Sequence, residues 1–271
     1  MIFTDTHTHS AFSRDSICSV VESVEAGIAA RIAGLSFTDH IDIGVPEGEV
    51  GDYFDISEQQ AAIQECVRKY GKQIQIYTGV EVGLQTHCLP EIEKMISAHR
   101  FDIVIGSIHW VNLVDPYTGG YYRGKSLKEA YREYLEFYID CIRGYRNFDI
   151  LGHYDYISRY APYKEKTITY RAFKDHFDTL FTIAIENGKA IELNTRSFLS
   201  RNGQPPPQFD PDVFKRYREL GGELVTLGSD AHDTIRLAAD FEYYAARLKQ
   251  CGFSYLTHFK ERNHVLTPNN L

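Results

Sequence analysis

Several signatures are missing from this 271-residue chain, and each absence removes a class of function. The five cysteines (Cys18, Cys66, Cys88, Cys141 and Cys251) are scattered, odd in number and never form a C-x-x-C pair. A disulfide framework and a thiolate zinc site are therefore both unsupported, and reduced thiols in the core or on the surface are expected. No stretch approaches the roughly 18 apolar residues that a membrane span requires. No basic segment precedes an apolar one at the N-terminus, so a cytoplasmic protein is expected. Lysine and arginine nowhere cluster and the net charge is −8, which argues against a nucleic-acid surface. A small anionic substrate stays compatible with that charge, because bound divalent cations can reverse the field inside a cleft. No linker or low-complexity stretch divides the chain, which points to one domain over residues 1–271.

What the sequence does contain is a repeated placement. Short apolar runs end in residues with metal-ligand chemistry. The first is Ile2-Phe3-Thr4-Asp5-Thr6-His7-Thr8-His9; later runs end in Asp39-His40, Glu81, His109, His153 and Asp230-Ala231-His232. A further run, Ala190-Ile191-Glu192-Leu193-Asn194, ends in Thr195-Arg196 instead. Runs of this length, spaced by helical patterns, read as strands of a parallel α/β barrel. Helices are expected over 20–33, stopped by Gly34, and from Ser57 as N-cap with Gln60 in the capping-box position. Others are expected from Pro90 to about residue 98, over 126–143, over 170–186, from Asp210-Pro211 to Gly221-Gly222, and over 234–250. A last apolar piece, 253–259, would cover an edge or the barrel floor. The seven β-α units predict a seven-stranded (β/α) barrel. In such barrels the active site is assembled at the C-terminal ends of the strands, where the long connections 41–55, 111–125, 158–169 and 197–208 also fall.

His7-x-His9 has the period of a strand, so both rings leave one face, and Asp230-x-His232 repeats the geometry. Imidazole plus carboxylate without thiolate suits zinc, iron or manganese. Glu81, with two oxygens, is the natural bridge of a pair of ions, which would generate hydroxide at neutral pH and stabilise an in-line displacement. A lone strand-end histidine such as His153 is more often a hydrogen-bonded structural residue; six strand ends together favour ligation. His87, His99, His176, His258 and His264 fall on helices, loops or the tail and are expected to be ordinary surface or core residues. Asp5 and Asp39 are expected to support ligands by hydrogen bonds. Asp15 alone reads as a turn aspartate.

Asp5-x-His7-x-His9, Thr38-Asp39-His40, Gly79-Val80-Glu81, Gly106-Ser107-Ile108-His109, Leu151-Gly152-His153 and Gly228-Ser229-Asp230-Ala231-His232 resemble, in order, the motifs of the polymerase-and-histidinol-phosphatase (PHP) superfamily. The resemblance covers nearly the whole chain. The form of the Phe101–His109 motif and the Glu192-x-Asn194-Thr195 segment resemble its stand-alone histidinol-phosphate phosphatases. It implies a distorted (β/α)7 TIM-like barrel and three divalent transition-metal ions: His7, His9, Glu81 and Asp230 on the first; Glu81, His109 and His153 on the second; Asp15, His40 and His232 on the third. Asp15 becomes a ligand only through this resemblance.

The implied reaction is hydrolysis of histidinol phosphate to histidinol and phosphate. Arg159 and Arg196, after the fifth and sixth strands, are the expected phosphate clamp, since a guanidinium matches phosphate oxygens bidentately. Arg14, Arg123 and Arg201 are weaker candidates. Asp230 or His232 could relay a proton to the leaving group. Asp42, Glu47, Glu49, Asp115, Tyr117, Tyr121 and Tyr122 lie in loops that could receive the rest of the substrate. Alternatives stay open: another monoester or a phosphodiester as substrate, an amidohydrolase-like barrel, or a binding module without catalysis. No strand ends in the lysine that the amidohydrolase reading calls for, and the intact ligand set opposes the last.

Overall fold

The computed structural model describes residues 3–201 and 203–270. Ile2, which opens the first expected strand, lies outside them. Seven parallel strands follow the expected order: β1 (Thr4–Thr8), β2 (Gly34–Phe37), β4 (Gln75–Gly83), β5 (Ile103–Ser107), β6 (Ile150–Leu151), β7 (Ala190–Asn194) and β8 (Val225–Gly228), with a short β3 (His40–Ile41) prolonging β2 along the same neighbour. The strands are neighbours in sequence order, as right-handed β-α units require. Beyond β8 the sheet meets β1 at its C-terminal mouth. Asp230 N donates to His7 O at 2.7 Å and His9 N to Ala231 O at 2.9 Å. The peptides that close the barrel thus belong to ligand-bearing segments. A register shift in β1 and a two-residue β6 supply the distortion.

Between the strands run α1 (Val20–Ala29), α2 (Ile56–Tyr70), α3 (Leu89–Ser97), α4 (Leu127–Gly144), α5 (Tyr156–Arg159), α6 (Lys174–Glu186), α7 (Pro211–Glu219) and α8 (Phe241–Gln250). Ser126 and Glu129 form a capping box at α4, and Asp210 caps α7. Four other helix ends differ from expectation. α1 stops at Ala29, because Arg31 is left-handed (φ 57°) and Gly34 already belongs to β2. Asp55, not Ser57, caps α2, its carboxylate accepting from Ser57 N and Glu58 N. Residues 170–172 form a separate 3₁₀ turn before α6. α8 starts only at Phe241, since Ala238 and Asp240 have positive φ and Ala238 N is drawn to Asp5 Oδ2.

The C-terminal apolar piece is half of an antiparallel hairpin, β9 (Tyr255–Lys260) and β10 (Asn263–Pro268). Phe259 packs against Ile103, Ile105, Ile150 and Ala190, at and near the starts of β5, β6 and β7. The hairpin therefore closes the floor and leaves the opposite mouth for chemistry. All five cysteines are free and buried. Among the described residues no helix is long and apolar enough to cross a membrane.

Candidate metal and phosphate site

All nine expected ligands meet at the barrel mouth, and their order along the sheet explains how. A strand end sets a side chain's direction, and adjacent parallel strands lie about 4.8 Å apart, so successive strand ends converge on one volume. Glu81, wholly buried on β4, is the hub. Its Oε2 has His40 Nδ1 at 2.9 Å, His7 Nε2 at 3.2 Å and His9 Nε2 at 3.6 Å; its Oε1 has His153 Nε2 at 2.7 Å and His109 Nε2 at 3.3 Å. Asp230 follows β8 in the left-handed region (φ 50°), a conformation that aspartate tolerates and that sites of chemistry often retain. Its Oδ1 lies 3.3 Å from His9 Nε2. His232 Nε2 lies 3.0 Å from Asp15 Oδ2, while His232 Nδ1 lies 2.9 Å from the carbonyl oxygen of Asp230. Both nitrogens of His232 are therefore engaged.

Donor atoms of four groups lie within 4.8 Å of one another: His7, His9 and Asp230; His7, Glu81 and His153; His9, His40 and His232; and His40, Asp42 and His109. Two observations fit this volume to divalent cations. Glu81 Oε2 is buried and accepts no hydrogen bond although three imidazole nitrogens surround it. His7 Nε2 and His9 Nε2 face each other at 3.1 Å, where two ring nitrogens converge on a common point. Buried polar atoms ordinarily find partners, and N/O donors left so arranged match zinc, iron or manganese. Burial alone would raise the Glu81 carboxyl; the imidazoles of His7, His109, His153 and His40 hold it well below the usual carboxylate range. Burial opposes ionisation of Asp230 too, and the Arg159 guanidinium and His7 overcome it.

A second layer orients the rings. Asp39 accepts from Ser10 N at 2.6 Å and Ser13 Oγ at 2.8 Å, and Ser13 Oγ meets His9 Nδ1 at 3.0 Å. Asp5 accepts from Ser229 N and Ala238 N, tying β1 to the segment carrying Asp230 and His232; burial pushes its carboxyl up to about 6. Both supporting roles accord with the reading of the sequence. Three members escaped it. Glu192, fully buried on β7, has Oε1 2.7 Å from His7 Nδ1 and accepts from His153 N at 2.6 Å. A carboxylate in the middle of an apolar run was the available signal. Asp42, grouped above with substrate residues, lies against His109 Nδ1 at 3.0 Å. Ser107 Oγ donates to Glu81 Oε1 at 2.6 Å. The glycines make room: a Cβ at Gly83 would overlap Asp42 Oδ1, and one at Gly228 would overlap Glu192 Oε1.

The cluster opens into a cleft of about 560 Å³. Arg14, Arg159, Arg196 and Arg201 line it; Arg123 does not. Arg159 Nη1 donates to Asp230 Oδ2 at 2.7 Å, and Arg196 Nη1 to Asp230 O at 3.0 Å. Asp42, Asp52, Asp115, Trp110 and Tyr117 line the rest with two further tyrosines. Tyr121 and Tyr122 are instead core residues, donating to Ala130 O and Ile157 O, and neither Glu47 nor Glu49 lines the cleft. His87, His99, His176, His258 and His264 all lie outside it. His258, for instance, packs on Tyr77.

Comparison with known proteins bears on this arrangement. Residues 5–196 match the PHP domain. A protein of Clostridium acetobutylicum named "Probable histidinol-phosphatase" is 32% identical over 93% of this chain and 94% of its own. A histidinol-phosphatase of Lactococcus lactis subsp. lactis is 30% identical over 94% of this chain and 93% of its own. A crystal structure of histidinol phosphate phosphatase from Lactococcus lactis subsp. lactis, complexed with zinc, L-histidinol and phosphate, matches with a TM-score of 0.87. It is 29% identical and covers 97% of this chain and 98% of its own.

Proposed function

This chain belongs to the PHP domain family, and from that membership we infer that it hydrolyses L-histidinol phosphate to L-histidinol and inorganic phosphate. The observation that carries the reading is a pairing in one cleft: a buried imidazole–carboxylate cluster beside Arg159, whose Nη2 is buried and has no protein partner. A phosphate monoester supplies what both halves lack, anionic oxygens for the cations and for the guanidinium.

His7, His9, Glu81 and Asp230 would hold a first divalent ion; Glu81, His109 and His153 a second; Asp15, His40 and His232 a third. Such ions would supply an activated water at neutral pH and neutralise charge on the phosphoryl oxygens. The protein's own residues do the rest. Glu81 joins two ligand groups through its two oxygens. Glu192 and Asp42 fix which nitrogens of His7 and His109 face the cluster. Arg159 and Arg196 orient the phosphate. Asp230, kept ionised against its burial by the Arg159 guanidinium, and His232, with Asp15 Oδ2 3.0 Å from its Nε2, both line the cleft and would relay a proton through water to the leaving group. The carboxylates Asp52 and Asp115 and the ring of Trp110 also line the cleft and offer an anionic, aromatic surface to a cationic aminoalcohol bearing an imidazole.

Steady-state kinetics on histidinol phosphate, beside a panel of monoesters and diesters and with metal content measured in parallel, tests the reading. Highest kcat/KM on histidinol phosphate with up to three ions per chain is expected. A diester turned over faster, or full activity with the metals removed, would overturn it.

A further inference from the structure

Arg159 is fixed by the protein at two of its three nitrogens and left without a hydrogen-bond partner at the third. Nη1 donates to Asp230 Oδ2 at 2.7 Å, Nε donates to Ser197 Oγ at 3.1 Å, and the buried Nη2 has no partner. Ser197 is fully buried on the 3₁₀ turn Thr195–Phe198 that follows β7. It has one proton, which it gives to Asp155 Oδ1 at 2.7 Å, so a lone pair of the hydroxyl is what meets Arg159 Nε. Asp155 is buried as well, and its carbonyl oxygen accepts from Ser158 N at 2.8 Å and Ser158 Oγ at 2.7 Å. The direction of every bond in the chain Asp155–Ser197–Arg159 is thereby set.

A guanidinium is a rigid plane. Held at Nη1 alone, it could swing about that contact; held also at Nε, its plane is fixed and Nη2 is aimed before any ligand arrives. Ordering this long side chain during folding removes that cost from the binding step. Ser197 does not line the cleft, so it acts through Arg159.

We propose that Ser197, oriented by Asp155, is the positioning residue for phosphate recognition: it presents Arg159 Nη2 to a phosphate oxygen of the substrate. The proposal rests on the reading of Arg159 as phosphate clamp.

The test is a double-mutant cycle with Ser197→Ala, Arg159→Ala and the double variant, each metal-replete, with inorganic phosphate as inhibitor and histidinol phosphate as substrate. Ser197→Ala should weaken phosphate inhibition on the order of tenfold, the scale of a lost hydrogen bond to a charged group. KM should rise in parallel, kcat should fall less, and metal content should hold. In the Arg159→Ala background the same change should add nothing, because the group being positioned is gone. Ser197→Cys, similar in volume but a poor acceptor, is the second deletion if alanine is not tolerated. A lowered Tm with unchanged phosphate inhibition would reduce Ser197 to a packing residue and overturn the proposal. So would an equal weakening with and without Arg159. Failure of the clamp reading looks different: metal-replete Arg159→Ala would itself bind phosphate like the parent.

Discussion

A carboxylate on the far side of an imidazole ring decides which nitrogen that ring presents, and here the smallest residue controls whether it gets there. Gly83 ends β4, and a Cβ on it would occupy the position of Asp42 Oδ1, the atom that meets His109 Nδ1. The obstructed group is the tip of a side chain, so Gly83→Ala should fold while displacing Asp42. Metal affinity at the position served by His109 should then fall about 10–100-fold, the usual effect of losing an outer hydrogen bond to a ligating histidine. Metal titration of the purified variant reads this directly, and an unchanged affinity would remove Asp42 from the orienting layer. The histidines were legible in the sequence because they sit at strand ends; Asp42 was not. Its partner lies 67 residues away, and an aspartate in a long connection has many uses.

Among the elements, the C-terminal hairpin carries visible backbone strain. Its two turn residues, Glu261 (φ 49°) and Arg262 (φ 64°), are both left-handed, a conformation that costs an ordinary L-residue about 1–2 kcal/mol and that Asn or Gly adopts readily. The turn is held by Glu261 N donating to Asp102 Oδ1, Arg262 N to Asp102 O, and Arg262 Nε to Asp149 Oδ2. The exposed Glu261 side chain makes none of these bonds, so Glu261→Asn should relieve strain and keep them. A gain of about 0.5–1 kcal/mol is expected, or roughly 1–4 °C in Tm for a chain of this size. Thermal unfolding checks it; a lower Tm would mean that the docked turn already suits glutamate. Apolar periodicity found the first half of this hairpin. It missed β10, because Asn263-His264-Val265-Leu266-Thr267-Pro268 is exposed along most of its length and carries little core signal. The start of α8 was missed for a related reason: residues 234–240 have helical composition, but Asp5 draws the backbone of Ala238 out of a helical path.

For the whole molecule, the barrel closes around charge rather than around apolar side chains at its mouth. His7, His9, Glu81, His153, Glu192 and Asp230 are all nearly inaccessible, and Glu81 Oε2 and His153 Nδ1 are unpartnered. Such a cluster costs stability unless cations compensate it. Ions that bind only the folded chain stabilise it by mass action, about 2.7 kcal/mol for each at a hundredfold excess over its Kd. Stripping the metals with a chelator should therefore lower Tm by several degrees, and added zinc should restore it. A Tm indifferent to measured metal loss would contradict this account.

The sequence by itself determined the seven β-α units, the barrel they form and the donor residues at the strand ends. Periodicity and residue chemistry are local properties, and a strand end carries its ligand wherever the fold places it. Only the tertiary structure decided which side chains stand behind those donors. Glu192 reaches His7 across 185 residues of sequence and Ser197 reaches Arg159 across 38; neither pairing leaves a periodic trace. It also decided that the C-terminal hairpin seals the floor, and that the peptides closing the barrel belong to the segments bearing His7, His9 and Asp230. These are matters of distance between strands, which exist only once the sheet has curved back on itself.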